Sequence, residues 1–133
     1  MGANCEVTYI MYTLDTNTII YYVKGDERVV AVVEDMVSSD YPIYVSVLTE
    51  AELFSYSHLT DIETEHIDSL LRTVSIIPLD SRLARLAGMV RRMYKTKLAD
   101  SIIASTALVT GSTLLTRNIN DFKKIINLSL KRI

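Results

Sequence analysis

Asp15, Glu52, Asp100 and Asp121 are the residues of this chain whose types and neighbours suit chemistry. Asn17 follows the first by two positions, Ser46 and Thr49 precede the second, and Thr116 and Asn118 precede the fourth. Singly, each acid has an ordinary explanation. Asp15 stands where a strand gives way to a helix and reads as a cap. Asp100 falls in a first helical turn, where a negative charge complements the macrodipole. Glu52 reads as a solvated helix acid like its neighbour Glu50, and Asp121 as the cap of a short helix that it begins. Together they are harder to explain, because carboxylates at about 4 Å repel by on the order of 4 kcal/mol per pair at an effective dielectric of about 20. A hard divalent cation, Mg²⁺ or Mn²⁺, would offset that repulsion and leave positions for water and phosphate oxygens. Ser46, Thr49, Asn17, Thr116 and Asn118 would orient the acids or the waters. Such a site hydrolyses phosphodiesters with metal-activated water and needs no histidine, cysteine or serine nucleophile.

Charge supports a polyanionic partner. From Ser81 to Ile133 there are eleven Lys or Arg, and Asp100 and Asp121 are the only carboxylates. Residues 1–80 carry fourteen acids against Lys24, Arg28 and Arg72, so a formal net charge of −2 conceals +9 in the tail and −11 in the front. Arg91, Arg92, Lys95, Lys97 and Arg117 are the candidates for backbone phosphate contact, the sequence-independent part of nucleic-acid affinity. A merely solvated basic face is the plainer alternative.

The 133 residues with 49% hydrophobic content suffice for one domain with a core. No apolar run approaches the roughly 20 residues of a membrane span, and the start lacks the layout of a secretory signal. One cysteine, Cys5, forms no internal disulfide and fits a reducing, cytoplasmic location. Residues 1–10 read as a short extension or strand lead-in, and 11–133 as the folded unit. His58 and His66 have no partner at metal-ligand spacing, and no Gly-rich phosphate loop or nucleophile elbow is present.

The acids must be positioned by an alternation of strands and helices. Val7–Leu14 reads as a buried strand, Thr16–Lys24 as a helix, and Glu27–Val37 as a second helix with Val29, Val30, Val33, Met36 and Val37 on one stripe. Tyr41–Val45 reads as a strand, and Ser46 caps a helix reaching Tyr56. Thr60 and Glu63 form a capping box opening the next helix. Ser75–Leu79 is a strand, and Asp80 caps a long helix carrying Leu83, Leu86, Ala87, Val90 and Met93. Leu98–Val109 is a helix stopped by Gly111, Ser112–Thr116 a strand, Asp121–Ile126 a short helix, and Leu128–Leu130 a further strand. Such alternation implies an α/β fold with a mainly parallel sheet of four to five strands covered on both faces, whose ligands bind at the carboxyl ends of the strands.

Leu14-Asp15-Thr16-Asn17, the run Ser46, Thr49, Glu52-Leu53, then Leu98-Ala99-Asp100-Ser101-Ile102-Ile103-Ala104, and finally Thr116-Arg117-Asn118 with Asp121-Phe122 resemble the four ordered motifs of PIN-domain ribonucleases, within which the length is most similar to VapC-type toxins of toxin–antitoxin pairs. The resemblance runs from Met11 to Ile133. It implies a PIN-like three-layer α/β/α sandwich and Mg²⁺- or Mn²⁺-dependent cleavage of RNA. Asp15, Glu52, Asp100 and Asp121 match the acidic positions; Thr116, Asn118 and Ser46 match the supporting ones. It further implies a homodimer and an antitoxin partner laying a segment across the site. Met93–Lys97 departs from the pattern, lacking the glycine many relatives carry there and being unusually basic. Housekeeping RNA processing, or a non-enzymatic α/β binding module with the acids as caps, are the competing readings. A phospho-acceptor phosphatase would want an Asp where Asn17 stands.

Overall fold

A computed structural model of the protein describes residues 10–133. Residues 1–9, with Cys5 and most of the expected lead-in, lie outside the described residues. The strands are β1 (Tyr12–Leu14), β2 (Ile43–Ser46), β3 (Ser75–Ile77), β4 (Thr113–Thr116) and β5 (Ser129–Arg132). The helices are α1 (Thr16–Val23), α2 (Glu27–Ser38), α3 (Val47–Ser55), α4 (Asp61–Leu71), α5 (Ser81–Tyr94), α6 (Leu98–Thr110) and α7 (Ile119–Phe122). All strand pairs are parallel, in the order β3-β2-β1-β4-β5.

Successive side chains of a strand point to opposite faces, and β4 shows the consequence. Leu114 and Leu115 are both fully buried. Leu115 packs with Leu14, Ile19, Val29, Val33, Leu53 and Ile67, a core fed by α1–α4. Leu114 packs with Val90, Ile103, Ala104, Ala107 and Phe122, a core fed by α5–α7. The sheet therefore has helices on both faces, as the α/β/α expectation required. Burying each such leucine is worth about 1.5–3 kcal/mol, more than an exposed ion pair contributes.

Local signals set the helix ends. Asp15, Asp26, Ser46 and Asp80 accept from backbone N–H groups at the starts of α1, α2, α3 and α5. The Thr60–Glu63 capping box is closed in both directions. Gly111, at φ 65°, ends α6 in the left-handed region.

Several boundaries differ from the sequence expectation: β2 starts at Ile43 rather than Tyr41, β3 stops at Ile77 rather than Leu79, β4 starts at Thr113 rather than Ser112, and β5 runs Ser129–Arg132 rather than Leu128–Leu130. Of the strand expected over Val7–Leu14, residues 7–9 lie outside the description and Ile10 and Met11 are not strand. Strand β2 runs one residue further, to Ser46. The last short helix begins earlier and stops sooner: the Asn118 N–H donates to Thr116 Oγ1 (2.9 Å), turning the chain so that Ile119 is already helical and Asp121 lies inside α7 rather than capping it. Beyond Phe122 the chain turns through Asn127, at φ 68°, into β5. No helix among the described residues is long and apolar enough to cross a membrane.

Candidate metal and active site

Parallel pairing brings the strand ends together. Leu14 pairs with Leu115, and Thr13 with Tyr44, so continuing one step past the first pair and two past the second puts Asp15 beside Thr116 and in line with Ser46. At that edge a cavity of about 100 Å³ is lined by Asp15, Thr16, Asn17, Glu52, Ala99, Asp100, Ile103 and Asn118. Three acids, one at the N-cap of α1 and two in the early turns of α3 and α6, thus share one space.

Each acid is held differently. Asp15 is only 4% exposed, and its Oδ1 accepts from the Thr18 N–H at 2.8 Å. It is a cap, as the plain reading held, and its second oxygen remains for another partner. Glu52 sits in the second turn of α3, where its Oε1 accepts from the Thr16 hydroxyl at 2.6 Å. Thr16 Oγ1 also lies 3.0 Å from Thr49 Oγ1, and Thr49 is fully buried. Asp100 is in the first turn of α6, whose start has no side-chain cap. Burial holds the Asp100 carboxyl above its ordinary value, Asp121 raises it further, Lys97 opposes, and Asp15 and Glu52 add smaller upward effects. None of these acids is in an ion pair among the described residues.

The other expected residues are placed less directly. Asp121 is exposed and does not line the cavity, yet its charge reaches Asp100. Asn118, which does line it, stands closer. Ser46 Oγ caps α3 and Thr116 Oγ1 holds the turn at Asn118; both shape the backbone without lining the cavity. Arg91, Arg92 and Lys95 border a separate concavity, and Lys97 lies between that and Asp100 in sequence. Arg117 is not on open surface. Its guanidinium forks onto Asp26 (Nη1 to Oδ2 2.8 Å, Nη2 to Oδ1 2.9 Å), donates through Nε to the Ile133 carbonyl, and stacks on Tyr21. That hydrogen bond is the main reason Asp26 is held below its ordinary carboxyl range. Arg117 clasps β4, the α1–α2 turn and residue 133, so its guanidinium is engaged within the chain.

The carboxylates converge less tightly than the repulsion argument required. Among the described residues no three His, Cys, Asp or Glu side chains are gathered closely enough to form a ready metal cage. The donor set still fits a magnesium-like ion. Such ions keep several waters and are bound by one or two carboxylates together with phosphate oxygens, and the cavity offers hard oxygen donors with no thiol or imidazole.

Thr16 is the functional candidate that sequence reasoning overlooked. It stands between two residues already singled out, and its hydroxyl on the first turn of α1 was the available signal. Thr16→Val should lower Mn²⁺ affinity by about 10–100-fold, the usual cost of losing a partner that orients a ligand, while Thr16→Ser should keep most of it. Calorimetric titration with Mn²⁺ reads both; equal affinity in the valine variant would remove Thr16 from the site.

The chain is similar to known proteins along most of its length. The family model of the PIN domain matches residues 12–127. Ribonuclease VapC2 of Rickettsia felis is 28% identical over 130 residues, covering 92% of this chain and 97% of that protein. The solved structure of VapBC2 from Rickettsia felis, bound to a DNA fragment from its promoter, superposes with a TM-score of 0.79 at 27% identity, over 93% of this chain and 99% of that one. VapBC-1 from nontypeable Haemophilus influenzae superposes at 0.73 and 25% identity, over 92% and 98%.

Proposed function

This chain belongs to the PIN-domain family, and on that premise we propose that it is a divalent-metal-dependent endoribonuclease and the toxin of a toxin–antitoxin pair. The single observation that carries the reading is the meeting of Asp15, Glu52 and Asp100 around one polar cavity at the carboxyl edge of a parallel sheet. The catalytic and metal-holding set is Asp15, Glu52 and Asp100, with Asp121 acting from outside the cavity. A bound Mg²⁺ or Mn²⁺ would supply an activated water and stabilise the departing oxyanion. The protein's own residues prepare the site for it. The α1 cap fixes the rotamer of Asp15, the Thr16 hydroxyl fixes that of Glu52, and Asn118 offers an uncharged amide to a phosphate oxygen. The cavity lining contains no histidine, cysteine or lysine, so it offers no imidazole, thiol or amine nucleophile.

Partners follow from relatives and from surface. A similar solved structure is a toxin–antitoxin complex from Klebsiella pneumoniae, which supports an antitoxin for this chain. Met89 and Met93 on α5, with Leu98 and Val109 on α6, are exposed apolar side chains that support a second copy of the chain as a further partner.

The test is incubation of the purified protein with RNA in Mg²⁺ or Mn²⁺, with EDTA and Asp15→Asn as controls. Cleavage is expected with metal and lost in both controls. Cleavage that survives them, or none at all with either metal, would overturn the reading. Growth arrest on expression, relieved by a co-expressed antitoxin, separates the toxin from a housekeeping nuclease.

A further inference from the structure

Helix α5 contradicts local stability rules at two positions on one stripe. Gly88 sits inside the helix, where glycine is among the least favourable residues. Packing does not require it, because a Cβ added at Gly88 meets nothing within 4 Å. Lys95 closes the same helix at φ 56° and ψ 36°, a left-handed conformation that glycine adopts without steric cost and lysine does not. The chain thus has glycine where alanine would be more stable, and lysine where glycine would be.

These two residues share a surface. Gly88, Arg91, Arg92 and Lys95 fall at helical spacings of three, four and seven, and with Thr96 they line a concavity of about 440 Å³. Arg91, Arg92 and Lys95 form no ion pair among the described residues. Complementing the helix dipole accounts for cations in the last turn, but neither for a lysine held left-handed nor for a missing side chain at Gly88. Both departures act on the concavity: one leaves it open and the other adds a charge at its rim. Backbone conformations maintained against their own cost are found at binding sites. The concavity ends at the Lys95–Lys97 connection into α6, which carries Asp100.

We propose that the concavity formed by Gly88, Arg91, Arg92, Lys95 and Thr96 binds a backbone phosphate of single-stranded RNA other than the one being cut, and that Gly88 and Lys95 are kept for this at the expense of stability. The inference rests on the ribonuclease reading for its choice of polyanion. The forked guanidinium donors of Arg91 and Arg92 suit a phosphate better than isolated ammonium groups.

Binding is measured in EDTA, so that cleavage plays no part, by fluorescence anisotropy with a labelled single-stranded oligoribonucleotide. Thermal melts are recorded on the same samples. Lys95→Gly should melt roughly 3 °C higher, bind RNA about 5–10-fold more weakly, and lower the slope of log affinity against log salt by about 0.7, one phosphate contact on a single strand. Gly88→Ala should also melt higher and bind more weakly, with its salt slope unchanged because no charge is removed. Wild-type RNA affinity and slope in a stabilised Lys95→Gly would overturn the proposal, as would a variant no more stable than the parent. Unchanged RNA binding with weakened binding of a purified antitoxin would assign the concavity to a protein partner and equally overturn it. Failure of metal-dependent cleavage would sink the nuclease reading while leaving this binding result intact.

Discussion

Asp100→Asn is expected to reduce RNA cleavage by at least about 10²–10³-fold and, in the metal-free protein, to raise the melting temperature. Both effects have one origin. Burial first, and Asp121 second, hold the Asp100 carboxyl above its ordinary value. The folded protein therefore binds this proton more tightly than the unfolded chain does. The resulting stability is present at acid pH and is lost as pH rises through the raised value. At neutral pH the bare charge works against folding, and an amide of the same shape removes that cost. Melts in EDTA at pH 5 and pH 8 measure this, and the advantage of the asparagine variant should be larger at pH 8. A variant less stable than the parent at pH 8 would show that Asp100 is not crowded. The same shift sets the pH dependence of metal binding. An ion requires the deprotonated carboxylate, so Mn²⁺ affinity should begin to fall on acidification at a pH above the ordinary carboxyl range. Titrations at pH 8, 7, 6 and 5 follow it, and constant affinity throughout would contradict it.

Phe122→Ala is expected to cost about 3–5 kcal/mol of folding stability, the range for removing a buried aromatic side chain. Phe122 is 1% exposed and packs among Val90, Ile103, Ala104, Leu114 and Ile125. It also ends α7, whose four residues are too few to hold a helix without tertiary packing. The phenyl ring is thus what keeps Asp121, the preceding residue, at the place from which its charge reaches Asp100. Urea titration gives the loss directly, and Phe122→Leu, which preserves more apolar volume, should lose less. A cost below about 1 kcal/mol would mean that α7 is held by something other than this packing. Released from α7, Asp121 should raise the Asp100 carboxyl less, so Mn²⁺ affinity in the folded Phe122→Leu variant should begin to fall at a lower pH than in the parent.

Much of the architecture could be read without coordinates because its determinants are local. The hydrophobic period of α2, α4 and α5, the caps at Asp15, Ser46, Thr60 and Asp80, and the stop at Gly111 depend on residues within a turn of one another. The alternation of these elements implied a parallel sheet, and parallel strands carry their loops, and so the acids, to one edge. Strand ends were less legible: β1 and β3 are three residues each, and pairing with neighbours decides where so short a strand stops.

What the linear chain determined was the identity of the acids and the order in which strand ends deliver them, since residue type and element sequence are written in it. Only the tertiary structure decided how those side chains share the space. It gave Asp15 a cap and an open oxygen together, assigned Glu52 to Thr16 across 36 positions, and left Asp121 outside the cavity. It also turned Arg117 inward onto Asp26, 91 positions away, and left Lys95 left-handed beside an open glycine. The physical reason is that hydrogen bonds, ion pairs and mutual repulsion depend on distance in space, and packing of the two cores sets those distances.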